Sequence, residues 1–366
     1  MLLGYYIHQQ KCTFHAAVES LYKKGLKALF KLLKILKPLP SAKTILHLFD
    51  HLVKPIILYG CEIWGPCRIN IKPYNGDNLW KILQSKFPLE HKMANTTNLY
   101  EKLHMRMCRS NLAVNNRTST FGIYGELGRY PLYIDIIKQC TRYIEYLDND
   151  TNNVLVQTVY KSLKESLHEH PSSNRGTMDI LNFDNMLIQL NNGPLRTTNI
   201  RNTFQKRYRE YWYVHISTDQ SKKGHGNNKL RTYNKFKSNF QLEPYLNYPN
   251  AFKYRSIIAK FRLSAHKLKI ETARYNSRNA YIPADQRICE HCDLDRVEDE
   301  EHFLIECPKY NPERQVMFKM ADQHCKHFSN LSSHNKFIWI MSNESLEIIS
   351  TVGYFLLTSF TKRTGQ

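Results

Sequence analysis

The sequence lacks a long hydrophobic run. Its 366 residues have a mean hydropathy of −0.52, and the longest apolar stretch, 348–360, is interrupted by Ser350, Thr351 and Thr358. A membrane-spanning helix needs about 20 consecutive apolar residues. The first ten residues contain no lysine or arginine, so the basic start of a secretory signal peptide is also missing. We therefore predict no membrane partner, no secretion, and a location in the nucleus or the cytoplasm.

Three common active-site motifs are also absent. The sequence contains no phosphate-binding Gly-x4-Gly-Lys-Ser/Thr loop, no Gly-x-Ser-x-Gly nucleophile motif and no His-Glu-x-x-His zinc-protease motif. Sequence patterns therefore assign no catalytic residue to this chain.

Cysteine is scarce, with nine residues in 366. In a protein that is not secreted the cysteines stay reduced, so a cysteine cluster indicates a metal site before a disulfide framework. One cluster is present: Cys289 and Cys292 are separated by two residues, His302 follows after nine, and Cys307 after four more. Three thiolates and one imidazole can surround one zinc ion as a tetrahedron. We predict that these residues bind structural Zn²⁺, because four protein ligands leave no open coordination position.

Two alternatives to this zinc site stay open: the cysteines are coincidental or form a disulfide, or His291 replaces His302 as a ligand. Eight acidic residues and one basic residue lie between Cys289 and Cys307. A surface of that charge repels phosphate. We therefore expect the zinc module to be a structural brace, docked on a basic helix over 255–274.

Acidic residues are few overall: 52 lysines and arginines oppose 32 aspartates and glutamates, a formal net charge of +20. The net charge is +10 over residues 1–150 and +14 over 151–288, whereas 289–366 carries −4. The range 201–278 contains 18 basic and four acidic residues. A cationic region this dense indicates a polyanionic partner, and we predict RNA or DNA.

Aromatic residues alternate with the cations of this region. Aromatic rings can stack on unpaired bases while cations contact phosphates; the alternative is that the aromatics form the core and the cations are a solvated surface. We predict nucleic-acid contacts at Lys23, Lys27, Lys31, Lys34, Arg207, Arg209, Lys235, Lys237, Arg255, Lys260, Arg262, Lys267, Lys269 and Arg274.

The spacing of apolar residues predicts a mainly α-helical fold. An amphipathic helix with a lysine face spans 16–37, ends at Pro38 and Pro40, and is followed after Ser41 by a second helix over 45–53.

Four further segments have characteristic patterns. We predict a buried extended segment over 56–66 and a helix over 252–275. Asparagine-, aspartate- and serine-rich residues over 148–200 indicate a loose linker, and 221–228 indicates a polar break.

Three stretches of the chain, 27–65, 124–132 and 260–307, resemble the C-terminal part of reverse transcriptases from non-LTR (LINE-class) retrotransposons. The last stretch contains the Cys/His pattern, which resembles the CCHC zinc-binding module of that family. Together with the patterns above, the resemblance implies four segments: a thumb-like helical bundle (1–70), a helical connector (71–200), a basic aromatic helical region (201–288), and a small zinc module with short β elements and a C-terminal helix (289–366).

One departure from the family bears on activity. Polymerases of this family hold two metal ions on an Asp-Asp pair, and no Asp-Asp dipeptide occurs in this sequence. We therefore predict a nucleic-acid-binding, zinc-containing fragment without polymerase activity of its own, for which an intact reverse transcriptase in trans is a further partner. The alternatives are a non-catalytic interaction protein, an inactive remnant of a decayed element, and a truncated part of a functional reverse transcriptase.

Overall fold

A computed structural model of the chain is mainly α-helical, as predicted, and its β elements are isolated bridges. The predicted helix stop at Pro38 and Pro40, most of the 148–200 linker and the 221–228 break lie outside the described residues. The structure describes residues 14–36, 41–69, 86–94, 98–149, 153–169, 183, 197–218, 229–247 and 252–364.

Helices in the first half of the chain are α1 (His15–Ile35), α2 (Ala42–Leu52), α3 (Lys54–Ile57), α4 (Cys61–Ile69), α5 (Pro88–Ala94), α6 (Leu99–Leu112), α7 (Thr120–Glu126), α8 (Tyr133–Asn149) and α9 (Val154–Glu169). The second half contains α10 (Thr197–Thr218), α11 (Tyr233–Phe236), α12 (Phe252–Arg262), α13 (Lys269–Thr272), α14 (Asn311–His324), α15 (Ser333–Ser342) and α16 (Leu346–Thr364). A π-helical turn covers His302–Glu306. Among the described residues, no helix is both long and apolar enough to cross a membrane.

The chain forms two compact units, each assembled from three stretches. Unit 1 contains Met1–Ile35, His47–Met107 and Tyr130–Trp212, and unit 2 contains Leu36–Leu46, Cys108–Arg129 and Tyr213–Gln366. The four consecutive segments expected from the sequence therefore do not coincide with the compact units.

The two N-terminal helices agree with their predictions. α1 buries Val18, Leu29 and Leu32 on one face, as its apolar spacing predicts. The hydroxyl of Ser41 caps α2 by accepting a hydrogen bond from the Thr44 amide at 3.2 Å.

The apolar run 56–66 is helical, so the prediction of an extended segment is wrong. It is divided between α3 and α4, with Gly60 between them at φ 61°. Trp64 is fully buried, and a Cβ added to Gly65 would lie 2.5 Å from Cγ2 of Ile136 in α8. A short apolar run packed this closely has no helical or strand periodicity, which is why the sequence did not distinguish the two.

The helix predicted over 252–275 is interrupted between α12 and α13. Ser264 has a left-handed backbone with φ 50°, and the Ala265 amide donates back to the Lys260 carbonyl at 2.7 Å, a helix-ending geometry. The Ser264 hydroxyl donates to Glu300 at 3.0 Å. The interruption is thus tied to a tertiary contact that local periodicity does not contain.

The aromatic residues of α10 belong to the core. Phe204, Tyr208, Tyr211 and Trp212 are at most 3% exposed, whereas Tyr213 is 57% exposed. For these four rings the core alternative is correct, and they are not accessible for stacking on bases.

Candidate metal centre and cationic surfaces

A short antiparallel hairpin positions the first two cysteines of the predicted zinc site. Ile288 pairs with Val297, and the Cys289 amide donates to the Arg296 carbonyl at 2.8 Å. Cys292 lies in the turn between the paired residues. The hairpin is the short β element that the sequence predicts for this module.

His302 and Cys307 lie at the two ends of the π-helical turn. The Cys307 amide donates to the His302 carbonyl at 2.8 Å, five residues apart, and this wider turn brings both side chains to one side. The Asp299 carboxylate accepts a hydrogen bond from the His302 amide at 2.8 Å, which fixes the start of the turn.

The four predicted ligands form one cluster. The ligand atoms of Cys289, Cys292, His302 and Cys307 all lie within 4.8 Å of one another. Sγ of Cys292 is 3.4 Å from Nε2 of His302; in a tetrahedral zinc site a sulfur and a nitrogen are about 3.5 Å apart. The cluster can therefore hold a metal ion, and its donor set of three sulfurs and one nitrogen fits zinc.

Neighbouring groups orient two of these ligands. Nδ1 of His302 is 3.4 Å from the Glu306 carboxylate, so its Nε2 faces the cysteines. A carboxylate that contacts the other ring nitrogen orients a histidine ligand in this way in metal sites. The His291 amide donates to Sγ of Cys289 at 3.4 Å. The His291 ring is directed elsewhere, with Nδ1 at 3.2 Å from Nζ of Lys309.

Burial controls the protonation of the ligand set. It raises the pKa of the Cys289 thiol to about 12 and also raises the pKa of Cys307. Burial lowers the pKa of His302, which keeps the imidazole neutral at pH 7, the form that binds metals. A metal ion would displace the thiol protons, so affinity for it should increase with pH.

The sequence led us to expect that the acidic residues around the cluster form a surface. Some of them are buried instead. Glu298 and Glu300 are each 1% exposed. Arg363 donates to Glu298 at 2.8 Å, and Glu300 accepts from Arg231 and, at 2.8 Å, from His266. Much of the negative charge of this segment is therefore neutralised inside unit 2.

Further contacts join the cluster to the predicted basic stretch 255–274. The Lys269 amide donates to the Glu298 carboxylate at 2.7 Å, and the Ile270 amide donates to the Glu298 carbonyl at 3.2 Å. The rings of Phe261 and Phe303 are 6.1 Å apart. These contacts come from α12, from α13 and from the turn between them, not from one continuous helix.

Arg262, a predicted nucleic-acid ligand, lies in the core of unit 2. Its Nε donates to Glu126 at 2.9 Å, its Nη2 to Glu243 at 2.7 Å, and its Nη1 to the Met341 carbonyl at 2.5 Å. The side chain is 3% exposed. All three guanidinium nitrogens donate hydrogen bonds to protein atoms, so Arg262 cannot contact a phosphate in this structure.

Two more predicted cations are buried in the same unit. Lys237 pairs with Glu243 and donates to the Gln241 carbonyl at 2.8 Å. Arg255 donates to the Leu246 carbonyl at 3.1 Å. Because their polar ends face protein atoms, we remove Lys237 and Arg255, with Arg262, from the candidate nucleic-acid surface.

The remaining predicted cations of unit 2 divide into paired and accessible ones. Lys269 pairs with Glu290 at 2.5 Å, and Arg274 pairs with Glu271 at 2.6 Å. The accessible side chains are Lys235 and Lys267, which are exposed, and Lys260, which is half-buried.

Unit 1 presents its predicted lysines to solvent. Lys23, Lys27, Lys31 and Lys34, which we call the lysine row, are all exposed on α1, and their helical spacing puts them on one face about 16 Å long. Lys23 pairs with Glu19 at 2.9 Å. In the described part of the chain, the other three make no ion pair.

The two predicted arginines of α10 differ from each other. Arg207 donates to Glu90 through two nitrogens, at 3.1 and 3.3 Å, and Glu90 is fully buried. Arg209 is exposed and donates to the Tyr130 hydroxyl at 3.2 Å. Most of the Arg209 guanidinium is therefore available to a ligand, whereas that of Arg207 is not.

Sequence reasoning missed the residues that support the cluster, chiefly Arg231, His266 and Glu306. Glu306 follows His302 by four residues, a spacing that places two helical side chains together, so a local signal was available. Arg231 and His266 lie far from the cluster in sequence and carried no such signal.

Comparison of the chain with protein-family models, with curated proteins and with solved structures finds no match.

Proposed function

We propose that this protein binds nucleic acid through the lysine row, is stabilised by one structural zinc ion, and has no polymerase activity of its own. The lysine row carries the proposal, because all four of its predicted side chains are exposed on one face of one helix. The resemblance to the C-terminal part of non-LTR reverse transcriptases points to the same class of ligand.

Zinc is the metal that the donor set favours. Three cysteine sulfurs and one imidazole nitrogen are typical of structural zinc sites, and they occupy all four tetrahedral positions. Cys289, His302 and Cys307 are buried, so a substrate would have no access to the metal from that side. Zinc here would hold the hairpin and the π-helical turn together.

The nucleic-acid contact is of the phosphate-backbone type. The lysine row is about 16 Å long, enough to follow about five phosphates of one strand. Phe204, Tyr208, Tyr211 and Trp212 of α10 are buried, so these four rings offer no stacking platform. Binding should therefore be weakly sequence-dependent, strongly salt-dependent and possible with either RNA or DNA.

The family resemblance also suggests a protein partner. This partner is an intact reverse transcriptase that acts in trans on the same RNA.

Metal content tests the zinc half of the proposal. The purified protein should contain one equivalent of zinc, and Cys292→Ser should lose it because one ligand is missing. Cys325→Ser is the matched control, since Cys325 is a free thiol outside the cluster. Full zinc occupancy in Cys292→Ser would contradict the assignment.

Salt dependence tests the nucleic-acid half. Binding to a single-stranded RNA should weaken with salt, and Lys27, Lys31 and Lys34 changed together to glutamine should reduce the logarithmic salt slope by roughly 2 units, since each phosphate contact contributes about 0.7. The control changes Lys253, Lys319 and Lys326 to glutamine; these are exposed lysines of unit 2, so the net charge changes equally.

An equal loss in the control would mean that overall charge, and not the lysine row, determines binding. No binding by the unmodified protein would support the alternative of an interaction protein. If Cys292→Ser abolished binding while the fold survived, and the lysine variant bound normally, the roles of the two regions would be reversed.

A further inference from the structure

A pair of histidines on α2 belongs to unit 1 and shares no residue with the metal cluster. His47 and His51 are four residues apart, so their side chains lie on one face of the helix, with Cβ atoms about 5 to 6 Å apart. Their ring centroids are 4.2 Å apart, with an angle of 65° between the ring planes. Both residues are exposed. A metal ion in solvent can therefore reach the nitrogens of two neighbouring rings.

The two imidazoles are available to a ligand. Among the described residues, neither ring takes part in a hydrogen bond or an ion pair. His104, by contrast, is buried and its Nδ1 contacts the Glu101 carboxylate at 2.9 Å, so it would have to give up that contact before it bound a metal. His47 and His51 have no such contact to lose.

The helix that carries the pair is held in place by its opposite face. Ile45 and Phe49 of α2 are fully buried, and the Phe49 ring stacks on His104 with 5.5 Å between centroids. The backbone positions of the two histidines are therefore set before a ligand binds. A site on a fixed element loses less conformational freedom on binding.

The described residues supply no third protein ligand. Asp50 is the only carboxylate of α2, and its Oδ1 pairs with Nζ of Lys54 at 3.1 Å. In the described part of the chain, the cysteine cluster is the only group of three or more potential ligands. A metal ion on the histidine pair would therefore keep open coordination positions for water or for a donor atom of another molecule, whereas the cluster is closed.

We propose that His47 and His51 form a second metal site, which chelates one divalent transition-metal ion through two imidazole nitrogens. Two histidines with this spacing on a helix hold the zinc ion of the His-Glu-x-x-His proteases. Imidazole is a ligand for zinc, copper and nickel, and the affinity of divalent metals increases towards Cu²⁺. Two nitrogens with oxygen donors in the remaining positions suit the tetragonal geometry of Cu²⁺ and Ni²⁺. Mg²⁺ and Ca²⁺, which take oxygen ligands, should not bind.

This inference goes beyond the proposed function and does not depend on it. Neither histidine belongs to the lysine row or to the cysteine cluster. The histidine pair is exposed and offers two ligands, so dialysis into metal-free buffer should empty it, whereas zinc in the four-ligand cluster should remain. The two metal sites can therefore succeed or fail separately.

Titration of the dialysed full-length protein with the Cu²⁺-iminodiacetate complex tests the site. The chelator leaves adjacent coordination positions open, which selects for two neighbouring imidazoles. His47→Ala and His51→Ala should each weaken binding at least about tenfold, because even residues that only orient a metal ligand change metal affinity by about 10- to 100-fold. His327→Ala is the matched control, since it removes an exposed histidine outside α2 and should bind like the unmodified protein.

A second control keeps the number of histidines and changes their spacing. The double variant His51→Ala with Leu52→His places the two rings five residues apart, on different faces of the helix. Leu52 is 54% exposed, so the position accepts a polar side chain. This variant should bind the complex as weakly as His51→Ala does. Binding equal to that of the unmodified protein would show that the spacing is irrelevant and would overturn the proposal.

Pulsed electron paramagnetic resonance separates chelation from a structural effect of the substitutions. Bound Cu²⁺ should couple to two imidazole rings in the unmodified protein and to one in His51→Ala. Without metal, the melting temperatures of His47→Ala and His51→Ala should equal that of the unmodified protein, since exposed side chains contribute little to stability. No binding by the unmodified protein, coupling to a single imidazole there, or unchanged affinity in both alanine variants would each overturn the proposal.

Discussion

The lysine row of unit 1 and three of the predicted cations of unit 2 carry the same charge but differ in their exposure to solvent. The lysine row is solvent-exposed, whereas Lys237, Arg255 and Arg262 of unit 2 are 3 to 5% exposed. A large positive charge excess in the sequence is thus not by itself an accessible surface. Net charge reports how many cations a segment contains, and burial decides how many can contact a ligand.

The buried cations also differ in what they stabilise. Glu126 is buried, and burial raises its pKa while Arg262 opposes that increase. Removing one partner from such a pair leaves an uncompensated charge in the core. The two classes of cation should therefore respond very differently to substitution. Of the following four experiments, the last three test that difference.

Loss of the metal should have the largest effect. Cys307→Ser, or a strong chelator added to the unmodified protein, should lower the free energy of unfolding of unit 2 by at least about 5 kcal/mol, because structural zinc binding contributes directly to folding. Urea titration followed by circular dichroism measures this. An unchanged midpoint after complete zinc removal would show that the fold of unit 2 does not depend on the ion.

Arg262→Ala should have the next largest effect on stability. It leaves Glu126 and Glu243 without their shared partner and should destabilise the protein by about 3 to 5 kcal/mol. Lys235→Ala, an exposed cation in the same unit, should change stability by less than about 0.5 kcal/mol. Similar midpoints in urea for the two variants would break the comparison between buried and exposed cations.

The two arginines of α10 provide the same comparison within one helix. Arg207→Ala leaves the buried Glu90 carboxylate without its partner and should lower the free energy of unfolding by about 2 kcal/mol. Arg209→Ala, two residues further on, should cost less than about 0.5 kcal/mol. Thermal unfolding of both variants measures the difference, and a larger loss for Arg209 would contradict the assigned pairing.

The lysine row should give the smallest effect on stability. Each of Lys27→Gln, Lys31→Gln and Lys34→Gln should change the free energy of unfolding by less than about 0.5 kcal/mol, since exposed side chains without ion pairs contribute little. Urea titration should show this while RNA affinity falls. A destabilisation above about 1 kcal/mol would mean that these lysines have a structural role.

Features that depend on short sequence distance were predictable. The Cys/His spacing identified four candidate metal ligands whose donor atoms lie within 4.8 Å of one another, and helical periodicity identified α1 and its lysine face. Ser41 was recognisable as a cap because it acts three residues away. In each case the interacting groups are close in the sequence.

Features that depend on distant partners were not predictable. Glu126 and Arg262 are separated by 136 residues, and nothing near Arg262 indicates that it is buried. Similarly, the run 56–66 is helical because of its packing against α8, and the interruption after α12 is tied to Glu300.

The sequence alone determined the helical class of the protein, its overall charge and the candidate metal-ligand set, because these follow from composition and local spacing. Only the tertiary structure decided which cations face solvent and which neutralise buried carboxylates. The physical reason is that a charge is accessible or buried according to what the rest of the chain packs around it.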